Sequence, residues 1–151
     1  MRHGFYNHLA MILGIPELLR RINEERLVEG LSERELNNPE GAGLDLRLAR
    51  LFKLEGKGFL GIDERETPQG TLVAEFDPRQ RTSITMKPGD YFLTETVERF
   101  NMPLDLLAVV KPRTTLHRSG ILTRVSVVDP GYHGPIHPAI FNAGPVPVEI
   151  E

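Results

Sequence analysis

The chain has 151 residues and no cysteine, so disulfides, thiolate metal sites and cysteine nucleophiles are excluded. Its formal net charge of -3 argues against binding to duplex nucleic acid, which is typically bound by proteins with a basic excess. Its 40% hydrophobic and 26% charged residues, with no apolar run as long as a membrane span, indicate a globular protein without membrane segments. A cytoplasmic location fits these features.

The first part of the chain predicts one helix after a short extension. Residues 1–10 are too polar for a good signal peptide, and we expect a disordered extension there, followed by a single domain at residues 11–151. Pro16 suits the first helical turn, Gly30 suits a helix end, and residues 32–36 suit a second, shorter turn of helix. Apolar residues recur between them at helical spacing: Ile15, Leu18, Leu19 and Ile22.

After residue 42 the hydrophobic pattern changes to a period of two, which is typical of strands. The first strand is predicted to bury one face, formed by Leu44, Leu46, Leu48, Phe52 and Leu54, and to place Asp45, Arg47 and Lys53 on the other. Six further runs follow, separated by Gly, Pro, Asn and Asp: GTLVAEF, TSITM, YFLTETV, LLAVV, ILTRVSVV and PIHPAIF. Seven or more short strands with turn signals between them predict an all-β sandwich or barrel.

The segment GAGLDLRL, residues 41–48, contains one acidic side chain, Asp45. One interpretation is a surface carboxylate paired with Arg47 or with a lysine on the next strand. The other is a carboxylate that reaches a bound Mg²⁺ through water, because hard cations prefer oxygen ligands.

The segment KPRTTLHRSG, residues 111–120, concentrates hydroxyl and cationic groups in a loop bounded by Gly and Pro. Such groups are good donors to phosphate oxygens, and a helical turn that begins at Thr114 would add free backbone N–H groups. The alternative, which composition alone favours, is a solvated basic loop with a threonine cap. The groups concerned are the hydroxyls of Thr114 and Thr115 and the cations of Lys111, Arg113 and Arg118.

The segment VVDPGYHG, residues 127–134, places Asp129 directly after an apolar run. A buried carboxylate is costly unless it is paired or used, so one interpretation is a general base that orients a water, with Tyr132 stacked on a ring or sugar. The other is an ordinary type II turn with Pro130 and Gly131 at its centre.

Together and in this order, the three segments resemble the motifs of the dUTPase and dCTP deaminase superfamily. In the third, Asp129, Tyr132, Gly134 and Asn142 match the spacing of that family. The Asp-Pro-Gly-aromatic form and the helix before the strands resemble the deaminase-like branch. The resemblance implies a distorted jelly roll (a dUTPase-like β-clip) with a short N-terminal helix, assembled as a homotrimer with active sites between subunits.

The resemblance also implies a role for each site residue. Asp129 would activate a water, Tyr132 would pack against the deoxyribose and disfavour a 2′-hydroxyl, and Asp45 would help to place Mg²⁺. Ser126 takes a position that is Gly in ordinary dUTPases, where the base lies close to the backbone. The implied substrate-binding set is Arg113, Thr114, Thr115, Arg118, Ser126 and Tyr132.

One position separates the branches of the family. Its deaminases carry a Glu ten residues after the Asp of the third motif, and this sequence has Ala139 there. We therefore predict hydrolysis of dUTP to dUMP and diphosphate, by attack of an Asp-activated water on the α-phosphate with Mg²⁺. A dCTP deaminase or bifunctional deaminase-diphosphatase is one alternative.

A catalytically silent nucleotide-binding homologue is a second alternative. Two features favour it: Ser126 replaces a glycine, and the later Gly-x-Arg-x-x-Gln motif of the family does not occur up to Glu151.

Overall fold

A computed structural model describes residues 12–39 and 41–151 of the chain. The extension predicted at residues 1–10 lies outside the described residues. The helices are α1 (Ile15–Glu25), α2 (Glu33–Asn37) and α3 (Thr114–Arg118). The strands are β1 (Val28–Glu29), β2 (Leu48–Glu55), β3 (Phe59–Leu60), β4 (Arg65–Glu66), β5 (Gln69–Glu75), β6 (Ile84–Met86), β7 (Tyr91–Thr96), β8 (Arg99–Asn101), β9 (Ile121–Arg124), β10 (His133–Pro135), β11 (Ala139–Asn142) and β12 (Val148–Ile150).

The strands form antiparallel sheets. The largest sheet has the order β5-β2-β7-β11-β9, and a smaller one has the order β1-β8-β10. Two further pairs, β12 with β6 and β3 with β4, complete the described sheets. The predicted all-β fold with a short N-terminal helix is confirmed. None of the described helices has the length and apolar character needed to cross a membrane.

Two hydrophobic clusters stabilise this arrangement. The first, which we name the N-terminal core, joins α1 to the small sheet and to the third motif; its buried members are Ile22, Leu27, Val28, Phe100, Met102, Val128 and Ile136. The second, which we name the sheet core, lies on one face of the large sheet; its buried members are Leu51, Met86, Ile121 and Ile140. Leu116 of α3 packs against the sheet core, so the second motif is anchored to the large sheet.

Helix α1 ends earlier than its sequence suggests. The prediction that Gly30 ends it is wrong, because Arg26 adopts the left-handed conformation (φ 55°) directly after Glu25. Val28 and Glu29 then pair with β8, so the two residues before Gly30 form a strand and not the end of the helix. The prediction of a second short helix is confirmed by α2. Ser32 is its N-cap, and the backbone N–H of Glu35 donates to Oγ of Ser32 at 3.4 Å.

Strand β2 differs from the predicted alternation because it contains irregularities. Its register shifts between Leu48 and Arg50 against β7, and between Leu51 and Phe52 against β5. Each shift changes the face that the following side chains occupy. Leu51 is consequently buried in the sheet core, whereas Phe52 was the predicted core residue. The segment with Asp45 precedes the strand and is not part of it.

Three other predicted strands are wrong in extent. PIHPAIF, residues 135–141, is not one strand, because β10 ends at Pro135 and β11 begins at Ala139. LLAVV, residues 106–110, contributes only an isolated bridge between Ala108 and Val128, and ILTRVSVV is a strand only as far as Arg124. The bridge still has a structural effect, because its two backbone hydrogen bonds (3.0 and 2.9 Å) hold the chain just before Asp129.

Candidate functional site

The second motif folds as predicted into a short helical turn, α3, that begins at Thr114. Arg113 precedes it in an extended conformation (φ -64°, ψ 148°), and its side chain is half-exposed. Thr114, Thr115 and Arg118 are exposed, and their side chains make no hydrogen bond or ion pair within residues 12–39 and 41–151. These donors are therefore available to a ligand, although exposure alone also fits a solvated loop. The threonine cap of that alternative is not formed, because the residue before the helix is Arg113 and no side chain caps it.

The end of α3 packs tightly against the loop after β11. Gly120 has a φ of +84°, and a Cβ atom there would lie 2.7 Å from Cα of Gly144. The N–H of Ala143 donates to the carbonyl oxygen of Gly120 at 3.0 Å. Glycine is therefore required at position 120 by both its backbone conformation and its close contact.

Asn142 has a structural role that explains its place in the third motif. It is fully buried, and its Nδ2 donates to the carbonyl oxygens of Met86 (2.8 Å) and Val146 (2.9 Å). Its Oδ1 accepts from the N–H of Gly144 at 3.0 Å. The side chain thus joins β6 to the loop against which Gly120 packs, at the end of the second motif.

Asp129 lies at the first position of the predicted turn. The N–H of Tyr132 donates to the carbonyl oxygen of Asp129 at 3.1 Å, and Gly131 has a φ of +78°, as a type II turn requires. The turn is fixed to the N-terminal core, since Gly131 and Tyr132 each exchange a backbone hydrogen bond with Met102.

The turn interpretation is correct for the backbone, but the expectation of a buried carboxylate is wrong for the single chain. Val128 is buried in the N-terminal core, whereas Asp129, the next residue, is exposed. Its side chain makes no hydrogen bond or ion pair with any described residue. An exposed, unpaired carboxylate on a rigid turn remains available to orient a water.

Tyr132 is held in place from both ends. Its ring packs against the N-terminal core, and its hydroxyl donates to the carbonyl oxygen of Pro135. A ring fixed in this way, three residues after Asp129, offers a rigid surface for a sugar. Ser126 is exposed between the end of β9 and the Ala108–Val128 bridge, and no described contact assigns it a role.

Asp45 brings the first and second motifs together. Its Oδ2 lies 2.7 Å from Nη1 of Arg113 and 3.9 Å from Nη1 of Arg34. The expected surface pair with Arg47 is not formed, because Arg47 binds the buried carboxylate of Glu98 at 2.8 Å instead. A carboxylate at position 98 without this partner would be an uncompensated buried charge.

The residues around Asp45 do not fit a magnesium ion held by this chain alone. In the described part of the chain, no group of three or more His, Asp or Glu side chains is placed to hold a metal. The Asp45 carboxylate already faces two guanidinium groups. Mg²⁺ is commonly held by one or two carboxylates together with substrate phosphates. A role for Asp45 towards Mg²⁺ therefore stays a prediction that concerns the nucleotide-bound protein.

Glu35 was not predicted from the sequence to contact the first motif. It is buried at 3% exposure, and its Oε2 accepts from the backbone N–H of Asp45 at 2.9 Å. The sequence carried one signal, since Ser32 followed by Glu35 is a capping-box pattern. That pattern predicts a helix start and does not predict that the carboxylate contacts the first motif.

Ala139 lies on the face of the large sheet that points away from the sheet core. It is directly opposite Leu93 of β7 and Arg124 of β9, and opposite residues of antiparallel strands share a face. It is buried at 7% exposure. Among the described residues, no ion pair or hydrogen bond connects Asp129 with α3.

An antiparallel β fold that carries these three motifs in this order defines a member of the dUTPase and dCTP deaminase superfamily. The fold is similar to the crystal structure of 2'-deoxycytidine 5'-triphosphate deaminase from Agrobacterium tumefaciens, with a TM-score of 0.68 and 18% sequence identity. The match covers 93% of this chain and 44% of that chain, so this chain spans less than half of the solved one.

Sequence relatives show which family of this superfamily the chain belongs to. The model of the dCTP deaminase-like family matches residues 12–151, and the chain belongs to that family. The dCTP deaminase of Halorubrum lacusprofundi is 33% identical over 145 residues, covering 93% of this chain and 71% of the relative. A protein named "dCTP deaminase, dUMP-forming" from Dictyoglomus turgidum is 29% identical over 145 residues, covering 93% of this chain and 74% of the relative. The resemblance inferred from the motifs is confirmed.

Proposed function

We propose that this chain binds a pyrimidine deoxynucleoside triphosphate and converts it within the dCTP and dUTP chemistry of its family. The observation that carries the proposal is the match of residues 12–151 to the dCTP deaminase-like family, whose three motifs fold here around α3 and the Asp129 turn. Arg113, Thr114, Thr115 and Arg118 would bind the phosphates. Tyr132 would pack against the deoxyribose, and a cytoplasmic enzyme is the expected setting.

Deamination of dCTP is the activity that the relatives favour, because they are named as dCTP deaminases. Some are named as dUMP-forming, which favours a bifunctional enzyme that also releases diphosphate. Deamination needs proton transfer to and from the ring and its amino group, and a positioned side chain normally supplies it. Position 139 supplies no such group, so any deamination must use a proton donor from outside β11.

Hydrolysis of dUTP to dUMP and diphosphate is the second candidate, and Ala139 is the observation that favours it. Attack of water on the α-phosphate requires a general base and phosphate ligands, but no acid at position 139. Asp129 would accept the proton of the water while the α-phosphorus bond to the leaving diphosphate breaks. The proposed phosphate ligands and base are exposed in the single chain.

One product analysis separates these candidates. The protein would be incubated with dCTP or dUTP in Mg²⁺, and the products would be resolved by ion-exchange chromatography together with an assay for ammonia. Formation of dUTP or dUMP from dCTP supports deamination, and dUMP from dUTP alone supports the diphosphatase. Tight binding of dCTP or dUTP without product would leave a silent nucleotide-binding homologue and would contradict both catalytic candidates.

A homotrimer with shared active sites is also proposed, and an exposed apolar row supports it. Phe141 of β11 is directly opposite Tyr91 of β7 and Leu122 of β9, so the three side chains form a row across three strands. Their exposures are 37%, 45% and 39%. A contiguous exposed apolar surface is typical of an interaction site. Ala139 lies on the same face, next to this row.

Mixing inactive variants tests the shared site. We expect Asp129→Asn and Arg118→Ala each to be inactive alone, and an equal mixture, unfolded and refolded together, to regain activity. In a trimer with each site shared by two subunits, about a quarter of the sites would contain both intact residues. Activity near this fraction supports the shared site. A monomer by light scattering, or a mixture without activity, would contradict it.

Ala139→Glu tests the missing carboxylate. We expect a small gain of ammonia release from dCTP, because a catalytic Glu also needs surrounding groups that position it and set its pKa. Ala139→Gln is the matched control, since it has similar size and cannot transfer the proton. Equal ammonia release by the wild-type chain and both variants would show that position 139 does not decide the reaction.

A further inference from the structure

Glu35 is a buried carboxylate for which the proposed reaction has no use. Its Oε2 accepts from the N–H of Asp45 at 2.9 Å, and its own N–H is bound by Ser32 at the start of α2. A buried carboxylate is costly unless its partners compensate for lost hydration. Here the compensation comes in part from the backbone of the first motif, so α2 and the Asp45 segment are held together.

The side chain of Asp45 in turn contacts Arg113 of the second motif. The Asp45 carboxylate lies 2.7 Å from Nη1 of Arg113, and their side chains are 33% and 53% exposed. The Arg113 side chain makes no other ion pair or hydrogen bond among the residues that the structure describes. The Nε and Nη2 groups of its guanidinium therefore remain available to a second set of acceptor oxygens.

We propose that Glu35 is a positioning residue that acts through Asp45 to orient Arg113 towards the phosphates of the nucleotide. This inference rests on the proposed function, because it requires that Arg113 binds phosphate. An arginine held by a carboxylate on one edge loses little further freedom when its other edge binds an anion. Without Glu35, the Asp45 backbone loses its buried acceptor, and the carboxylate no longer holds Arg113 in one orientation.

Titration calorimetry with dCTP, dCMP, dUTP and dUMP tests this role. We expect Glu35→Leu to weaken binding of the preferred triphosphate about threefold to tenfold, the effect of ordering one long side chain, with a smaller effect on the monophosphate. Glu35→Gln should bind nearly as the wild type does, because its amide oxygen still accepts from the Asp45 N–H. Glu33→Leu is the matched control, since Glu33 is exposed on the same short helix.

A double-mutant cycle distinguishes positioning from a general loss of stability. If Glu35 acts through Arg113, Glu35→Leu should weaken triphosphate binding no further in a chain that already carries Arg113→Ala. Equal losses in the two backgrounds would overturn the inference. If Glu35→Leu does not fold, Glu35→Ala replaces it in the same cycle, because it also removes the acceptor of the Asp45 N–H and adds no bulk.

Different results would contradict the proposed function and the positioning role of Glu35. If the wild-type chain binds neither dCTP nor dUTP, the proposed function fails and the inference fails with it. If Arg113→Ala removes the preference for triphosphate over monophosphate while Glu35→Leu retains it, only the positioning role of Glu35 is wrong.

Discussion

Asp129→Asn is expected to lower the rate of diphosphate release by about 10² to 10⁴, the usual effect of removing a general base. The amide keeps the shape of the side chain but cannot accept the proton of the attacking water. The fold should be unaffected, because the Asp129 side chain is exposed and only its backbone carbonyl takes part in the turn. The measurement is single-turnover release of diphosphate from dUTP, and from dCTP if it is a substrate.

Asp63→Asn serves as the control for this experiment, because Asp63 is exposed between β3 and β4 and lies outside the three motifs. It should release diphosphate at the wild-type rate. Melting temperatures of both variants should equal that of the wild type. A wild-type rate for Asp129→Asn would show that Asp129 is only a turn residue, and the third motif would then need another base.

Asn142→Ala is expected to have the largest effect on stability. The change leaves the carbonyl oxygens of Met86 and Val146 and the N–H of Gly144 without their partner, and it opens a small cavity. The free energy of unfolding should fall by about 2–4 kcal/mol, since a buried polar group left unsatisfied costs about 1–3 kcal/mol. Unfolding in urea, followed by circular dichroism, measures it.

Asn37→Ala is the matched control for Asn142→Ala. The Asn37 side chain makes one exposed hydrogen bond, to the carbonyl oxygen of Glu33 at 2.9 Å. Its loss should change the free energy of unfolding by less than about 0.5 kcal/mol, as for most surface positions. Similar values for the two variants would contradict the structural role given to Asn142.

Local features of this fold were predictable because the residues that determine them are neighbours. The turn at Pro130 and Gly131 and the helical turn at Thr114 depend on a few adjacent residues, and both formed where predicted. The end of α1 did not, because pairing of Val28 with β8 depends on a distant strand. The irregularities of β2 likewise follow from its two partner strands, and they decide that Leu51 is buried in the sheet core.

The candidate site also has features that were predictable from the sequence and features that were not. The donors of α3 and the carboxylate of Asp129 could be recognised from residue types and spacing. The pairing of Asp45 with Arg113, and the support of Asp45 by Glu35, join segments that are far apart in the sequence. Only the folded chain shows that Asp45 contacts a phosphate-ligand candidate, whereas the sequence left open a surface ion pair and a role towards Mg²⁺.

Titration of dCTP and dUTP into the wild-type chain, with CTP and UTP alongside, tests whether this chain binds a pyrimidine deoxynucleoside triphosphate. We expect saturable binding of at least one of the two deoxynucleotides and much weaker binding of the corresponding ribonucleotide, because the rigid Tyr132 ring would disfavour a 2′-hydroxyl. Arg113→Ala should weaken that binding. Absence of binding by both deoxynucleotides, or equal binding of deoxy and ribo forms that Arg113→Ala leaves unchanged, would contradict it.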